Sequence, residues 1–262
     1  MKLNPLQTAI LENNLDLVSE LKDLKWRFEN DKNGFSPLEL SEFLGNEEIQ
    51  KLFITRKPKT IKLQLKDQNS PSLITVQEFE KIFHLKYRRF LNFPSYETLI
   101  KTVNNCPYFF KFQWLLGKND EQESFYQELL LNGLIAKTYI KWIDPVLEYG
   151  LFASIDLKEK TFIGEYTGIV KKIDKKNPDL NPYCFHYPSK FFSYNYFAID
   201  AKNEGNGLRF INHSGQPNLQ PLWLVQKNIL HLVFIANQFI AKDTELTFDY
   251  GKDFWINRHP KP

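Results

Sequence analysis

Near Tyr149 the chain changes its hydrophobic period, and that change limits what it can fold into. Before this point apolar residues recur at helical spacing. After it come short apolar runs broken by Gly, Asp-Lys or Asn-Pro: GLFASIDL, TFIGEYTGIV, YNYFAIDA, NLQPLWLV, ILHLVFIAN and TELTFDYG. Such runs read as the β-strands of a compact, turn-rich sheet domain. The expected class is α+β, a helical N-terminal region followed by a β-rich domain. At 262 residues, with 42% apolar and 15% aromatic side chains, the chain has ample material for a core.

Residues 1–54 contain an internal repeat at a spacing of 32, aligning Pro5 with Pro37, Leu6 with Leu38, Asn14 with Asn46, Leu17 with Ile49 and Leu21 with Phe53. Each unit has a Pro-Leu helix start, a small turn near Asn14 or Gly45 and a second short amphipathic helix. The pattern resembles two degenerate ankyrin repeats, whose usual period is ~33 residues; two unrelated helical hairpins are the other reading. Two such units cannot bury a core alone, so they should pack on the rest of the chain.

Residues 55–142 form a connecting region that reads as mostly helical. Ile61, Leu63 and Leu65 alternate as in a short edge strand or extended linker, and Val76, Phe79, Ile82, Phe83 and Tyr87 lie at helical spacing. YETLIKTV and the run from Glu123 to Trp142 read as further helices. The third unit, residues 143–262, holds the sheet pattern.

Net charge is only +3 but unevenly spread: 6 basic and 10 acidic residues in 1–54, 14 and 8 in 55–142, 14 and 13 in 143–262. The middle third could face phosphate, although a solvated surface is the commoner explanation. The two cysteines, Cys106 and Cys184, are too few for a disulfide framework or a Cys-rich zinc site, so no metal is expected. Neither a signal-peptide pattern nor an apolar run of membrane-spanning length is visible, which leads us to expect no membrane association and a cytoplasmic or nuclear location.

Four segments of the last third, in order, carry a family resemblance. EYGLFAS (Glu148 to Ser154) is similar to a Gly-x-Gly-(Val/Leu)-Phe-Ala opening strand. GEYTGIV (Gly164 to Val170) matches a Glu-Tyr-x-Gly strand. IDAKNEGNGLRFINHSGQPN (Ile199 to Asn218) and ELTFDYGKDFW (Glu245 to Trp255) complete the set. Together they resemble the motifs of SET-domain protein lysine methyltransferases. The resemblance implies a SET fold in which the third segment threads beneath the fourth as a C-terminal pseudoknot. It further implies S-adenosyl-L-methionine as the methyl donor and a lysine-bearing protein, a histone or another, as substrate.

Residue by residue, the resemblance makes Tyr250 the catalytic tyrosine, with Tyr166 lining the site opposite it and Phe248 tuning how many methyl groups are added. Cofactor contacts are implied for Glu148, Tyr149 and Gly150 in the opening loop, for Tyr183 in NPYCFHY, for Arg209, Asn212 and His213 in the third segment, and for Trp255, which with Phe254 would close the channel. The residue types suit the chemistry. Methyl transfer to an amine needs alignment and a neutral nucleophile, and a lysine begins near pKa ~10.4, so an apolar aromatic channel beside a cationic donor favours losing the proton.

Two departures stand out: Glu148 replaces the first glycine of the opening motif, and Gly215 replaces a cysteine tied in many relatives to a zinc cluster. The leading expectation is a di- or trimethylating lysine N-methyltransferase, with the basic middle region touching a nucleosome. The rivals are a catalytically inactive SET-like domain that binds proteins and an unrelated aromatic-lined binding module. The Lys-, Asn- and Phe-rich composition would also suit a bacterial protein delivered into a host cell.

Overall fold

The computed structural model describes residues 3–54, 59–110, 121–174, 181–190, 193 and 196–255, the side chains of 121–123 and 253 excepted. Residues 55–58 of the expected extended segment and 194–195 of the run YNYFAIDA lie outside them.

The N-terminal repeat is written in its helix caps. Helices α1 (Pro5–Leu11) and α3 (Pro37–Phe43) both begin with proline in the first turn and a reciprocal capping box, Asn4 with Gln7 and Ser36 with Glu39. Helices α2 (Leu15–Leu21) and α4 (Glu47–Phe53) are capped by the equivalent Asn14 and Asn46, whose side chains accept from Leu17 and Ile49 backbone N–H groups. The inward faces place Leu6, Ala9, Val18, Leu40 and Ile49 in the core with no exposed surface.

In the middle region helix α5 (Val76–Phe83) stops four residues before Tyr87. His84 takes the left-handed conformation (φ 48°), and Lys86–Tyr87 becomes the short strand β3. Helix α6 spans Tyr96–Asn104. The expected helix from Glu123 to Trp142 is corrected: α7 covers Glu121–Leu131, Gly133 turns the chain at φ 53°, and Thr138–Trp142 is strand β4. A run with Thr, Tyr, Ile and Trp suits a pleated surface once it has a neighbour. That neighbour is β5 (Tyr149–Ala153), antiparallel to it, with β1 (Thr60–Gln64) parallel on its other side and β2 (Ser72–Thr75) outermost.

The C-terminal half adds two three-stranded sheets. One orders β12 (Leu219–Gln226), β13 (Ile229–Ala236) and β6 (Phe162–Glu165); the other orders β7 (Ile169–Ile173), β9 (Tyr196–Asp200) and β8 (Cys184–Tyr187). Strand β10 (Glu204–Gly205) pairs with β3. The last pair is parallel and very short: β11 (Asn212–His213) beside β14 (Thr247–Phe248). Helix α8 (Lys252–Trp255) comes directly after it. Among the described residues no helix is long and apolar enough to cross a membrane.

One apolar core runs from Leu6 to Phe248, so the helical units pack on the sheets rather than beside them. The Phe43 ring meets Phe93 edge-on at 5.8 Å and lies 6.4 Å from the His231 ring of β13. Lys227 pairs with Glu39 at 2.6 Å. Arg88, 8% exposed, gives its Nε to Glu204 at 2.6 Å and an Nη1 to the Gly45 carbonyl at 3.1 Å. Gly45 has φ 67°, and a Cβ there would stand 2.7 Å from Asn92 Oδ1 and 2.8 Å from Arg88 Nη1. Gly45→Ala should therefore cost about 1–3 kcal/mol in urea denaturation; an unchanged midpoint would mean that this turn does not anchor the helices.

Candidate active site

Strands β11 and β14 meet because Asn218 clamps them. Its Nδ2 donates to the Glu245 carbonyl at 2.7 Å, and its Oδ1 accepts the Thr247 N–H at 2.9 Å. The third and fourth motifs are thereby held side by side, with Asn212 opposite Thr247 and His213 opposite Phe248.

Tyr166 and Phe248 are buried, at 3% and 6% exposure, and Tyr250 is half-buried. They belong to one ring cluster with two members that the sequence did not single out, Phe185 and Phe234. Tyr166 lies 4.7 Å from Phe185, Phe185 stacks on Phe248 at 5.5 Å, and Phe248 lies 4.7 Å from Tyr250 and 4.8 Å from Phe234. Phe254 and Trp255 cover Tyr250 at 4.6 and 6.3 Å. The Tyr250 hydroxyl donates to the Ile211 carbonyl at 2.8 Å, and that of Tyr166 to the Tyr183 carbonyl at 2.9 Å. Burial pushes both phenols well above their ordinary value, so each holds its proton at neutral pH. A phenol in that state orients and accepts weak contacts; it is not a base.

His213 accepts the Tyr250 N–H on Nδ1 at 3.2 Å, and its ring lies 5.1 Å from Trp255. With Nδ1 serving as an acceptor, the Asp249 carboxylate 3.6 Å away is not its hydrogen-bond partner, and the two do not form an acid–base relay. Asn212 gives its Nδ2 to the Tyr149 carbonyl at 3.2 Å and to Glu245 Oε1 at 2.8 Å. Gly150 lets this carboxylate approach the backbone: a Cβ there would fall 2.7 Å from Glu245 Oε1 and would push that side chain aside. The Tyr149 ring packs away from this cluster, on Phe83 and Trp142.

Glu148 is exposed on the turn with φ 60°, the conformation a glycine adopts most freely. Its backbone is held from both sides, by its N–H to the Asp144 carbonyl at 2.8 Å and by its carbonyl accepting the Ile143 N–H at 2.7 Å. Arg209 lays its guanidinium 3.9 Å from the centre of the Tyr183 ring. Its Nη1 donates to the Lys202 carbonyl at 3.2 Å, whereas its buried Nε meets no acceptor among the described residues. With both Nδ2 hydrogens of Asn212 committed, its Oδ1 remains as an acceptor; that oxygen, the orphaned Arg209 Nε donor and the rings of Tyr183 and Trp255 fit a ligand that carries a carboxylate, an amine and an aromatic base.

Residues 148–251 match the SET domain family model. The chain is 34% identical over 113 residues to the histone-lysine N-methyltransferase Su(var)3-9 of Drosophila melanogaster, covering 39% of this chain and 18% of that protein. It is 26% identical over 231 residues to human histone-lysine N-methyltransferase 2D, covering 86% of this chain and 4% of the relative. The chain thus spans less than a fifth of the length of these relatives. A solved structure of KRYPTONITE in complex with mCHH DNA, H3(1-15) peptide and SAH aligns at 27% identity over 45% of this chain and 24% of that one. The TM-score of that alignment is 0.38.

Glu245 supplies a pH test of the site. Burial, more than any other influence, raises its carboxyl above the ordinary value. A raised folded-state value means that the folded chain holds this proton more tightly than the unfolded chain. The associated stability is present in acid and lost as pH rises through the folded value. Relative to Glu245→Gln, the wild type should gain stability as pH falls from about 7 to about 4. A gap that stays constant across that range in denaturant titrations would contradict the burial.

Proposed function

We propose that the chain is an S-adenosylmethionine-dependent protein-lysine N-methyltransferase acting on histone lysines. The observation that carries the reading is the juxtaposition made by β11 and β14: one short ladder sets Asn212 against the Tyr149–Gly150 loop and His213 against the Tyr250 backbone. The relatives, named as histone-lysine N-methyltransferases, support the substrate class.

S-adenosylmethionine, when bound, supplies a methyl group made electrophilic by its sulfonium. The remaining work falls to the chain. Asn212, His213, Arg209 and the loop from Glu148 to Gly150 hold the amino-acid and adenine ends, with Tyr183 and Trp255 flanking them. The rings of Tyr166, Phe185, Phe248 and Tyr250 exclude water from the incoming lysine, which favours its neutral amine. The Tyr250 oxygen, fixed through its own donated bond to Ile211, keeps lone pairs for C–H and N–H contacts in the transition state. Phe248 is walled by Phe185, Phe234 and Tyr250 and has no hydroxyl with which to restrain a methylated amine from turning, so di- or trimethylation is the expected product.

The paired units of residues 5–53 fit ankyrin-like repeats that cover the catalytic half and present a partner surface, and the basic middle region suits a nucleosome contact.

Tritiated methyl donor mixed with core histones should label them, and Tyr250→Phe should slow labelling about 100-fold with donor affinity unchanged. Near-normal turnover of that variant would remove Tyr250 from the mechanism. Mass spectra of a time course should pass beyond monomethyl-lysine and stall earlier in Phe248→Tyr. A wild type that stops at one methyl group would refute the product assignment.

A further inference from the structure

A cavity of about 520 Å³ lies away from the aromatic site, between the sheet face of β1 and β4 and the segment around Tyr87. None of Tyr166, Asn212, His213, Phe248 or Tyr250 lines it. Its wall is largely aliphatic, from Ile61, Ile140 and Leu151, and two further lining residues, Leu73 and Ile155, are 66% and 43% exposed. Its volume falls within the range of small-molecule pockets. Three lysines, Lys59, Lys62 and Lys137, also line it, and among the described residues no aspartate or glutamate does. None of the three forms an ion pair with a described residue. Lys59 instead hydrogen-bonds the Tyr87 hydroxyl and lies 4.9 Å from the centre of that ring.

We propose that this cavity binds an amphipathic carboxylate of the fatty-acid type, its chain along the aliphatic wall and its carboxylate on Lys59. Apolar walls beside cations without counter-ions are complementary to a ligand that is apolar along its length and anionic at one end. Lys62 and Lys137 are exposed and solvated, but a neutral apolar ligand would leave the half-buried Lys59 uncompensated, and a small hydrophilic anion would leave the walls unfilled. The condition of Lys59 agrees with the geometry. Burial, aided by the charge of Arg89, lowers its ammonium to about 8, and the negative charge of a carboxylate beside it would offset both effects. At neutral pH the amine is still mostly protonated and able to donate.

The test is calorimetric titration of the full chain with dodecanoate below its micelle-forming concentration, with dodecanol and acetate in parallel. Dodecanoate should bind, dodecanol should bind at least about tenfold more weakly, and acetate should show no binding over the same range. Lys59→Met should abolish the preference for the carboxylate. Ile155→Asp, which adds an anion at an exposed lining position, should weaken dodecanoate about tenfold or more while sparing dodecanol. Equal binding of dodecanoate and dodecanol to the wild type would overturn the proposal. So would dodecanoate affinity unchanged in Ile155→Asp, an outcome that remains readable if Lys59→Met does not fold. Stronger binding of acetate than of dodecanoate would overturn it as well, by pointing to a simple anion site.

Discussion

The candidate site depends on a two-residue parallel ladder and the one asparagine that closes it. Asn212–His213 and Thr247–Phe248 are 35 positions apart, and bringing them together costs loop entropy that two strand positions alone scarcely offset. Asn218 tips the balance by serving as donor and acceptor to the same short segment, occupying the Glu245 carbonyl and the Thr247 N–H with one side chain. With the ladder in place, the Tyr250 backbone reaches His213 and its hydroxyl reaches Ile211, one residue before the ladder. Without it, the aromatic wall and the Asn212 amide would belong to separate surfaces.

The helical N-terminal units contribute from outside the site. Their core side chains are continuous with those of the sheets, and Arg88 ties the Gly45 turn to Glu204 across the interface. Beneath Phe43 lies a buried polar contact, Glu165 Oε1 to His231 Nδ1 at 2.5 Å, joining β6 to β13. The residue after Glu165 is Tyr166, so the cover that the helices give to this pair also fixes the backbone that carries one wall of the site.

What was legible in the sequence was local. Proline starts, asparagine caps and the spacing of 32 carry the helical units because each cap acts within its own first turn. Tyr166, Asn212, His213, Phe248 and Tyr250 were nameable because they sit in contiguous motifs. The glycine of Glu-Tyr-x-Gly proves obligatory: a Cβ on Gly168 would lie 2.5 Å from the Asp200 carbonyl. Strand β4 was missed because its partners lie on β1, more than seventy residues earlier, and on β5, so that its periodicity alone could not decide between helix and strand. The end of α5 at His84 was hidden because a left-handed residue without glycine leaves little trace in composition. Phe185 and Phe234 come from different sheets, and only the fold makes them neighbours.

If the ladder assembles one binding place for the methyl donor, direct titration of the full chain with S-adenosylmethionine will show it. Binding should be saturable, to a single class of sites, and weakened about tenfold or more by Asn212→Ala in a chain whose circular dichroism is unchanged. Absence of binding, or full affinity in that variant, would contradict it.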